Sequence, residues 1–362
     1  MKIVIIRKDS LKHIPPLLSV ADILSDLGHQ VHIISSDFTQ SIQENLQAHN
    51  ITFQELNYSN YSNKLGMLLS YIRYRFAAKE ALEKLSFDLL WVEDAHTMTI
   101  LSSVIKRYKY VLQISELYDD VPYLFNGISK VIRQAEKVFL PEYNRSALYQ
   151  VWFNLKEMPI LLPNKPYFIP DNTTLQVIKP KYSHYLDLMK GKKVILYQGR
   201  IHPERTIEGF VKAASYLGDD WLFVIMGKDQ FGLVERYRKV NPNILHIDFI
   251  PAPDYLTITS EAHIGVLSYS PMELNTTFCA PNKIYEYGAF SIPMVGNDIP
   301  GLKVLEQDKA GILANENDIE AITQAYLKID ETYSLYAQNS KLLFDKTDNR
   351  KTIDKAISNI SY

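Results

Sequence analysis

Short, nearly unbroken apolar runs recur along this chain, and stretches with helical spacing separate them. Lys2–Ile6 reads Lys-Ile-Val-Ile-Ile. The lack of polar alternation predicts a strand covered on both faces, as in a parallel sheet. Residues 15–27 carry apolar side chains at helical spacing and stop at Gly28, and a second run follows over 30–35. This is the βαβ opening of a doubly wound sheet. Further strands are expected at 87–92, 110–114 and 138–140, and a helix containing Trp152 and Phe153 after Glu142. Pro159, Pro163, Pro166 and Pro170 then mark the end of one domain and the start of a linker, placed at 166–192. The rhythm resumes with strands at 193–197, 222–226, 244–249, 264–268 and 293–296. Helices are expected between them at 206–216, 231–239, 254–262 and 281–290. The chain is therefore expected to be α/β: a Rossmann-like domain over 1–165, a second over 193–345, and a C-terminal helix over 346–362 that can return to the first.

A length of 362 residues suits two such domains. The net charge of -2 argues against nucleic-acid binding driven by overall charge. A single cysteine, Cys279, leaves no internal disulfide and no cysteine-rich metal site, which suits a reducing cytosol. Met1 and Lys2 lead straight into a strand and not into a signal peptide. No run approaches the ~20 apolar residues that span a bilayer. A cytoplasmic chain is expected, with the inner face of the membrane as a further location. The loop after the first strand, residues 7–13, has no G-x-G-x-x-G, so the dinucleotide fingerprint is absent. Neither an Asp-x-Asp motif nor His or Cys spacing suggests a metal site, and none is expected.

Two stretches carry the chemistry. In the first, residues 278–295, Pro281 suits a first helical turn, and Ile284, Tyr287 and Phe290 recur at helical spacing. Glu286 then stands in the first turns of a short helix at the edge of a parallel sheet, where open α/β sheets bind ligands. Lys283 lies beside it; the plain alternative is a solvated Lys283–Glu286 surface pair. In the second, a strand over 194–197 runs into Gln198-Gly199-Arg200-Ile201-His202-Pro203-Glu204-Arg205. Gly199 lets backbone approach a ligand. Arg200 and Arg205 offer guanidinium forks that grip phosphate oxygens without losing charge. Arg205 is expected to open the next helix. The plain alternative pairs the two arginines with Glu204 and Glu208.

Together these stretches resemble the retaining glycosyltransferases of the GT-B fold, family 4 in particular, over roughly residues 192–302. The resemblance implies two Rossmann-like domains facing across a cleft. It implies that Glu286 holds the donor ribose and that Arg200 and Arg205 hold its diphosphate. Asn282 and Lys283 join the donor set, Gly227 passes close to the nucleotide, and backbone at Ile250 and Pro251 receives the base; for Gly227, Ile250 and Pro251 the alternative is a plain turn. The family's second glutamate, eight positions before Glu286, is Phe278 here, so sugar contacts would come from neighbouring backbone N–H groups or from Thr276 and Thr277. The family's histidine after the strand at 110–114 is also missing; Ser115 and Glu116 stand there. His96 or Glu116 would substitute, each with a strand-end or helix-cap role as the alternative. The implied reaction moves a sugar, with retention, from a nucleotide diphosphate sugar to a glycan or lipid-linked acceptor in surface-polysaccharide (capsule-type) biosynthesis. Family frequency favours a UDP-linked donor, and no further cofactor is implied. The alternatives are a nucleotide-sugar 2-epimerase and a non-catalytic nucleotide-sugar-binding subunit.

One more stretch stands out. Residues 64–85 mix Met67, Leu68, Leu69, Tyr71, Ile72, Tyr74 and Phe76 with Arg73, Arg75 and Lys79. The favoured reading is a core-packing helix with solvated basic ends. The other is a basic, aromatic face for anionic lipid headgroups, which residues 106–110 would extend.

Overall fold

The computed structural model describes residues 1–11, 15–56, 58, 64–203 and 205–360. The chain divides into two compact units. One comprises residues 1–167 with the C-terminal segment from Asp348; the other is Phe168–Thr347.

The first unit holds a parallel sheet of seven strands. These are β1 (Lys2–Ile6), β2 (Gln30–Ser35), β3 (Thr52–Glu55), β4 (Leu89–Glu93), β5 (Tyr110–Gln113), β6 (Lys137–Leu140) and β7 (Ile160–Leu161). Their order is β3-β2-β1-β4-β5-β6-β7. The second unit holds six: β8 (Lys193–Gln198), β9 (Trp221–Met226), β10 (Ile244–Ile247), β11 (Ile264–Leu267), β12 (Met294–Asn297) and β13 (Gly311–Ala314). Their order is β10-β9-β8-β11-β12-β13, also parallel. Both sheets reverse direction beside their first strand. Ligands of doubly wound sheets bind at the carboxyl ends of strands at such a reversal, here β8 between β9 and β11.

The all-apolar runs form these strands because helices cover both faces. β9 is buried at every position. Along β8, Val194 and Leu196 pack with Tyr287 and Ile258, while Ile195 and Tyr197 pack with Phe210.

The structure corrects several expectations. The stretch read as a linker, 166–192, instead carries helices Asn172–Ile178 and Ser183–Met189, and Tyr182 and Met189 enter the core of the second unit. Arg205 does not open a helix: that helix is Glu208–Ala214, and Arg205 N–H closes a turn on the His202 carbonyl at 2.9 Å. Pro281 lies ahead of the helix Lys283–Ala289, whose N-cap is Asn282.

Candidate functional site

Three strand ends meet through two glycines. Gly199, just past β8, donates its N–H to the Met226 carbonyl at 2.9 Å. Gly227, just past β9, donates to the Ile247 carbonyl at 2.9 Å. Gly227 has φ of +156°, and a Cβ there would lie 2.0 Å from the Gly199 carbonyl oxygen. Only glycine lets these loops nest so closely. His246 on β10 supports the arrangement, its Nε2 lying 2.9 Å from the Gly227 carbonyl oxygen. A Cβ at Gly199 would in turn lie 3.2 Å from Cε of Lys283. The Lys283 side chain therefore lies over the end of β8.

Arg200 is exposed and Arg205 half-buried. The Arg200 carbonyl accepts from the Tyr197 hydroxyl at 2.9 Å. The Arg205 guanidinium stands 5.3 Å from the centre of the Tyr269 ring. Burial pushes the Tyr197 phenol up to about 12, with nearby Arg205 opposing. Tyr269 is raised too, again by burial with Arg205 opposing. Glu208, the partner suggested by sequence, instead pairs with Arg236 at 2.5 Å; Glu204 lies outside the described residues. Among the described residues no acidic side chain pairs with Arg200, Arg205 or Lys283.

Glu286 is not an exposed edge residue, as its sequence position suggested. It is only 5% exposed. One carboxylate oxygen accepts from the Gln198 side-chain amide at 2.5 Å, the other from the Tyr255 hydroxyl at 2.8 Å. The Gln198 carbonyl oxygen accepts from the Thr259 hydroxyl at 2.6 Å. Burial and the Glu286 charge raise the Tyr255 phenol, which keeps it a donor. Tyr255 ends the segment that carries Ile250 and Pro251, and its N–H bonds the Pro251 carbonyl at 3.2 Å. The segment with Ile250 and Pro251 is thereby tied to Glu286. Asn282 accepts the Tyr285 and Glu286 N–H groups through its carbonyl. Phe278 is half-buried, and a Cβ at Gly301 would lie 2.4 Å from the Cys279 backbone nitrogen, so the loop after β12 abuts the segment at 278–279. Thr276 and Thr277 sit in the one-turn helix Leu274–Thr277.

In the first unit the two candidates stand apart. Glu116 is bound to the buried Arg145 at 3.2 Å. His96 is the second residue of the short helix Ala95–Ile100 after β4, where the N-cap Asp94 accepts its N–H at 3.1 Å. Its Nδ1 lies 3.1 Å from the Tyr71 hydroxyl, and the Tyr71 and Tyr123 rings flank it. Sequence reasoning missed the buried Arg7–Glu93 pair beside it. Burial raises the Glu93 carboxyl, against the pull of Arg7, and raises Asp94 likewise. The available signal was two consecutive acids at the end of a buried run. Among the described residues no group of three or more His, Cys, Asp or Glu gathers as metal ligands.

Residues 192–331 match the family model described as "Glycosyl transferases group 1". The second unit thus holds a glycosyl transferase group 1 domain. No curated protein matches the chain. Among solved structures it is similar to Anabaena HepE in complex with UDP and glucose, at 13% identity and a TM-score of 0.73, over 99% of this chain and 100% of that one. It is similar to sucrose-phosphate synthase from Thermosynechococcus elongatus, at 14% identity and a TM-score of 0.72, over 99% and 98%. It is also similar to UDP-GlcNAc 2-epimerase from Neisseria meningitidis bound to UDP-GlcNAc, at 14% identity and a TM-score of 0.71, over 99% and 100%. This likeness is one of fold: two parallel-sheet Rossmann-like domains of the GT-B kind.

Proposed function

We propose that the chain transfers a sugar, with retention, from a UDP-linked donor to a glycan or lipid-linked acceptor in surface-polysaccharide biosynthesis. One observation carries the donor side. Arg200, Arg205 and Lys283 lie around the β8 strand end with no acidic partner among the described residues, next to a buried, oriented carboxylate at Glu286. A departing nucleoside diphosphate gains negative charge as its bond to the sugar breaks, and fixed cations favour that charge most. The proposed diphosphate binders are Arg200, Arg205 and Lys283, with Gly199 and Gly227 admitting the ligand to the backbone. Glu286 reads the ribose, and Ile250 and Pro251 the base. The C1–O bond to the diphosphate breaks, a C1–O bond to the acceptor forms on the same face, and the acceptor's proton passes to the departing diphosphate. Of the two candidates in the first unit, we assign His96 to the acceptor side, since Glu116 is committed to Arg145.

HepE, crystallised with UDP and glucose, supports this donor class. The 2-epimerase shares the fold, so fold alone does not separate the two chemistries; the group 1 match favours transfer. Among the described residues no helix is long and apolar enough to cross a membrane. The proposed place of action is the cytoplasmic side.

Calorimetry with UDP and uridine tests the donor site. Arg200→Ala and Arg205→Ala should each cost UDP about 1.5–3 kcal/mol, the worth of a hydrogen bond to a charged group, and cost uridine far less. Equal losses for both ligands would remove the diphosphate assignment.

A further inference from the structure

The helix Lys64–Glu83 packs one face on the core, but much of its apolar content lies on the other. Tyr74, Ala78, Ala81 and Leu82 are buried, but Met67, Leu68, Leu69, Ile72 and Phe76 are exposed, Leu68 by 58% and Phe76 by 67%. No other stretch of ten described residues exposes more than two large apolar side chains. At 3.6 residues per turn, Leu68, Leu69, Ile72 and Phe76 form one stripe opposite the buried face, and Arg73 and Arg75 fall on either side of it. Scattered exposed apolar residues need no explanation, but a contiguous stripe does.

Charge divides the helix in two. From residue 66 to 79 every charged residue is basic: Arg73, Arg75 and Lys79. Acids begin at Glu80, and there the surface turns ordinary, with Lys84–Glu80 at 2.6 Å and Lys79–Glu83 at 3.7 Å. Arg107 pairs with Glu83 at 2.9 Å, so the basic run at 106–110 belongs to this far end and does not extend the stripe. Arg75 is anchored to the Ile100 carbonyl and the Ser103 hydroxyl, both at 2.6 Å, which fixes its place at the stripe's border. Beyond Tyr71 the surface continues through His96 to Tyr123, itself 48% exposed.

We infer that this stripe is a docking surface for an anionic lipid bilayer. The apolar side chains enter the headgroup–acyl boundary, the arginines meet lipid phosphates, and Tyr71 and Tyr123 stand at the polar interface, where such rings concentrate. A second copy of the chain fits less well. An isologous contact would set Arg73 and Arg75 of one copy against those of the other, with no acid in the stripe to offset them. The inference does not depend on the donor site.

Co-sedimentation of the full chain with vesicles tests it. Phosphatidylcholine vesicles doped with phosphatidylglycerol should pellet the protein, pure phosphatidylcholine should not, and high salt should release it. Leu68→Ser with Phe76→Ser should lower the partition coefficient about tenfold or more. Both sites are exposed, so an unchanged melting temperature would show that the fold is intact; Arg73→Gln offers a second variant that leaves the apolar stripe in place and should lose the anionic preference. Absence of vesicle binding, binding indifferent to lipid charge, or binding unchanged in the double variant would overturn the inference. So would a lipid-free dimer, seen by light scattering, that the double variant dissociates.

Discussion

At the level of single residues, Glu286 holds most of the donor argument. Its position after a turn and before a buried strand was visible in sequence. Its burial and its partners were not, because Gln198 lies 88 positions away and Tyr255 lies 31 away. No local pattern encodes such a contact. The partners sharpen what a substitution should do. Each carboxylate oxygen keeps a lone pair after bonding Gln198 or Tyr255, and ribose offers two neighbouring hydroxyl donors. Glu286→Gln removes the charge and turns an acceptor into a donor facing Gln198. It should weaken donor binding by about 1–3 kcal/mol and also lower stability. The useful readout is therefore a ratio in which stability cancels: the affinity for UDP over that for its 2′-deoxy analogue. Glu286→Gln should largely abolish that ratio. Tyr255→Phe leaves the carboxylate but frees its plane, and should reduce the ratio only in part. If Glu286→Gln keeps the full preference, the ribose assignment falls. If only Tyr255→Phe keeps it, the carboxylate reads the ribose without help from Tyr255.

Among secondary-structure elements, legibility tracked burial. Strands flanked on both sides, such as β1, β8 and β9, are unbroken apolar runs and could be read directly. The strands that were missed, β3, β7 and β13, all lie at sheet edges. β3 reads Thr-Phe-Gln-Glu and is mostly exposed, and β7 is a two-residue strand in a proline-rich stretch. Neither of these half-covered strands needs the apolar run that announces a central one; β13, Gly-Ile-Leu-Ala, is buried at three of its four positions, so edge exposure does not account for its omission. The nesting of strand ends was equally hidden: Gly199 and Gly227 look like ordinary turn glycines until their distance is known. Replacement at Gly227 tests that nesting. Gly227→Ala should cost about 1–3 kcal/mol, since its Cβ would overlap the Gly199 carbonyl on top of the backbone strain. Gly191 is the control. It also has a positive φ, +75°, but a Cβ there meets nothing within 4 Å, so Gly191→Ala should cost only about 1 kcal/mol. Chemical denaturation of both variants measures the difference, and equal costs would show that the strand ends are not tightly nested. Donor affinity should fall in Gly227→Ala alone.

For the molecule as a whole, the order of the chain and the order of folding units differ. The alternation of strands and helices announced two Rossmann-like units, with a C-terminal helix over 346–362 that can return to the first. After the helix Tyr333–Lys346 of the second unit, the chain runs into the helix Asn349–Ser358, which packs on the first unit. Ile353, Ala356, Ile357 and Ile360 join the same core as Leu17, Val20 and Leu24 of the helix Pro15–Asp26. Asn349 adds a hydrogen bond from its side-chain amide to the Pro163 carbonyl at 2.8 Å. Burial of three isoleucines contributes roughly 4.5–9 kcal/mol at about 1.5–3 kcal/mol each. That is comparable to the whole stability of an ordinary domain, about 5–15 kcal/mol. Deleting residues 348–362 should therefore unfold, or nearly unfold, the first unit while sparing the second. Hydrogen exchange resolves the two. Amides of β1, β2, β4 and β5 should lose most of their protection in the truncated chain, whereas those of β8, β9 and β11 keep theirs. If the first sheet stays as protected as in the full chain, its core closes without the C-terminal helix, and the contacts of Ile353 and Ile357 are not what holds it. If both sheets lose protection together, the two units unfold as one cooperative body and the division at Tyr167 and Asp348 has no thermodynamic counterpart.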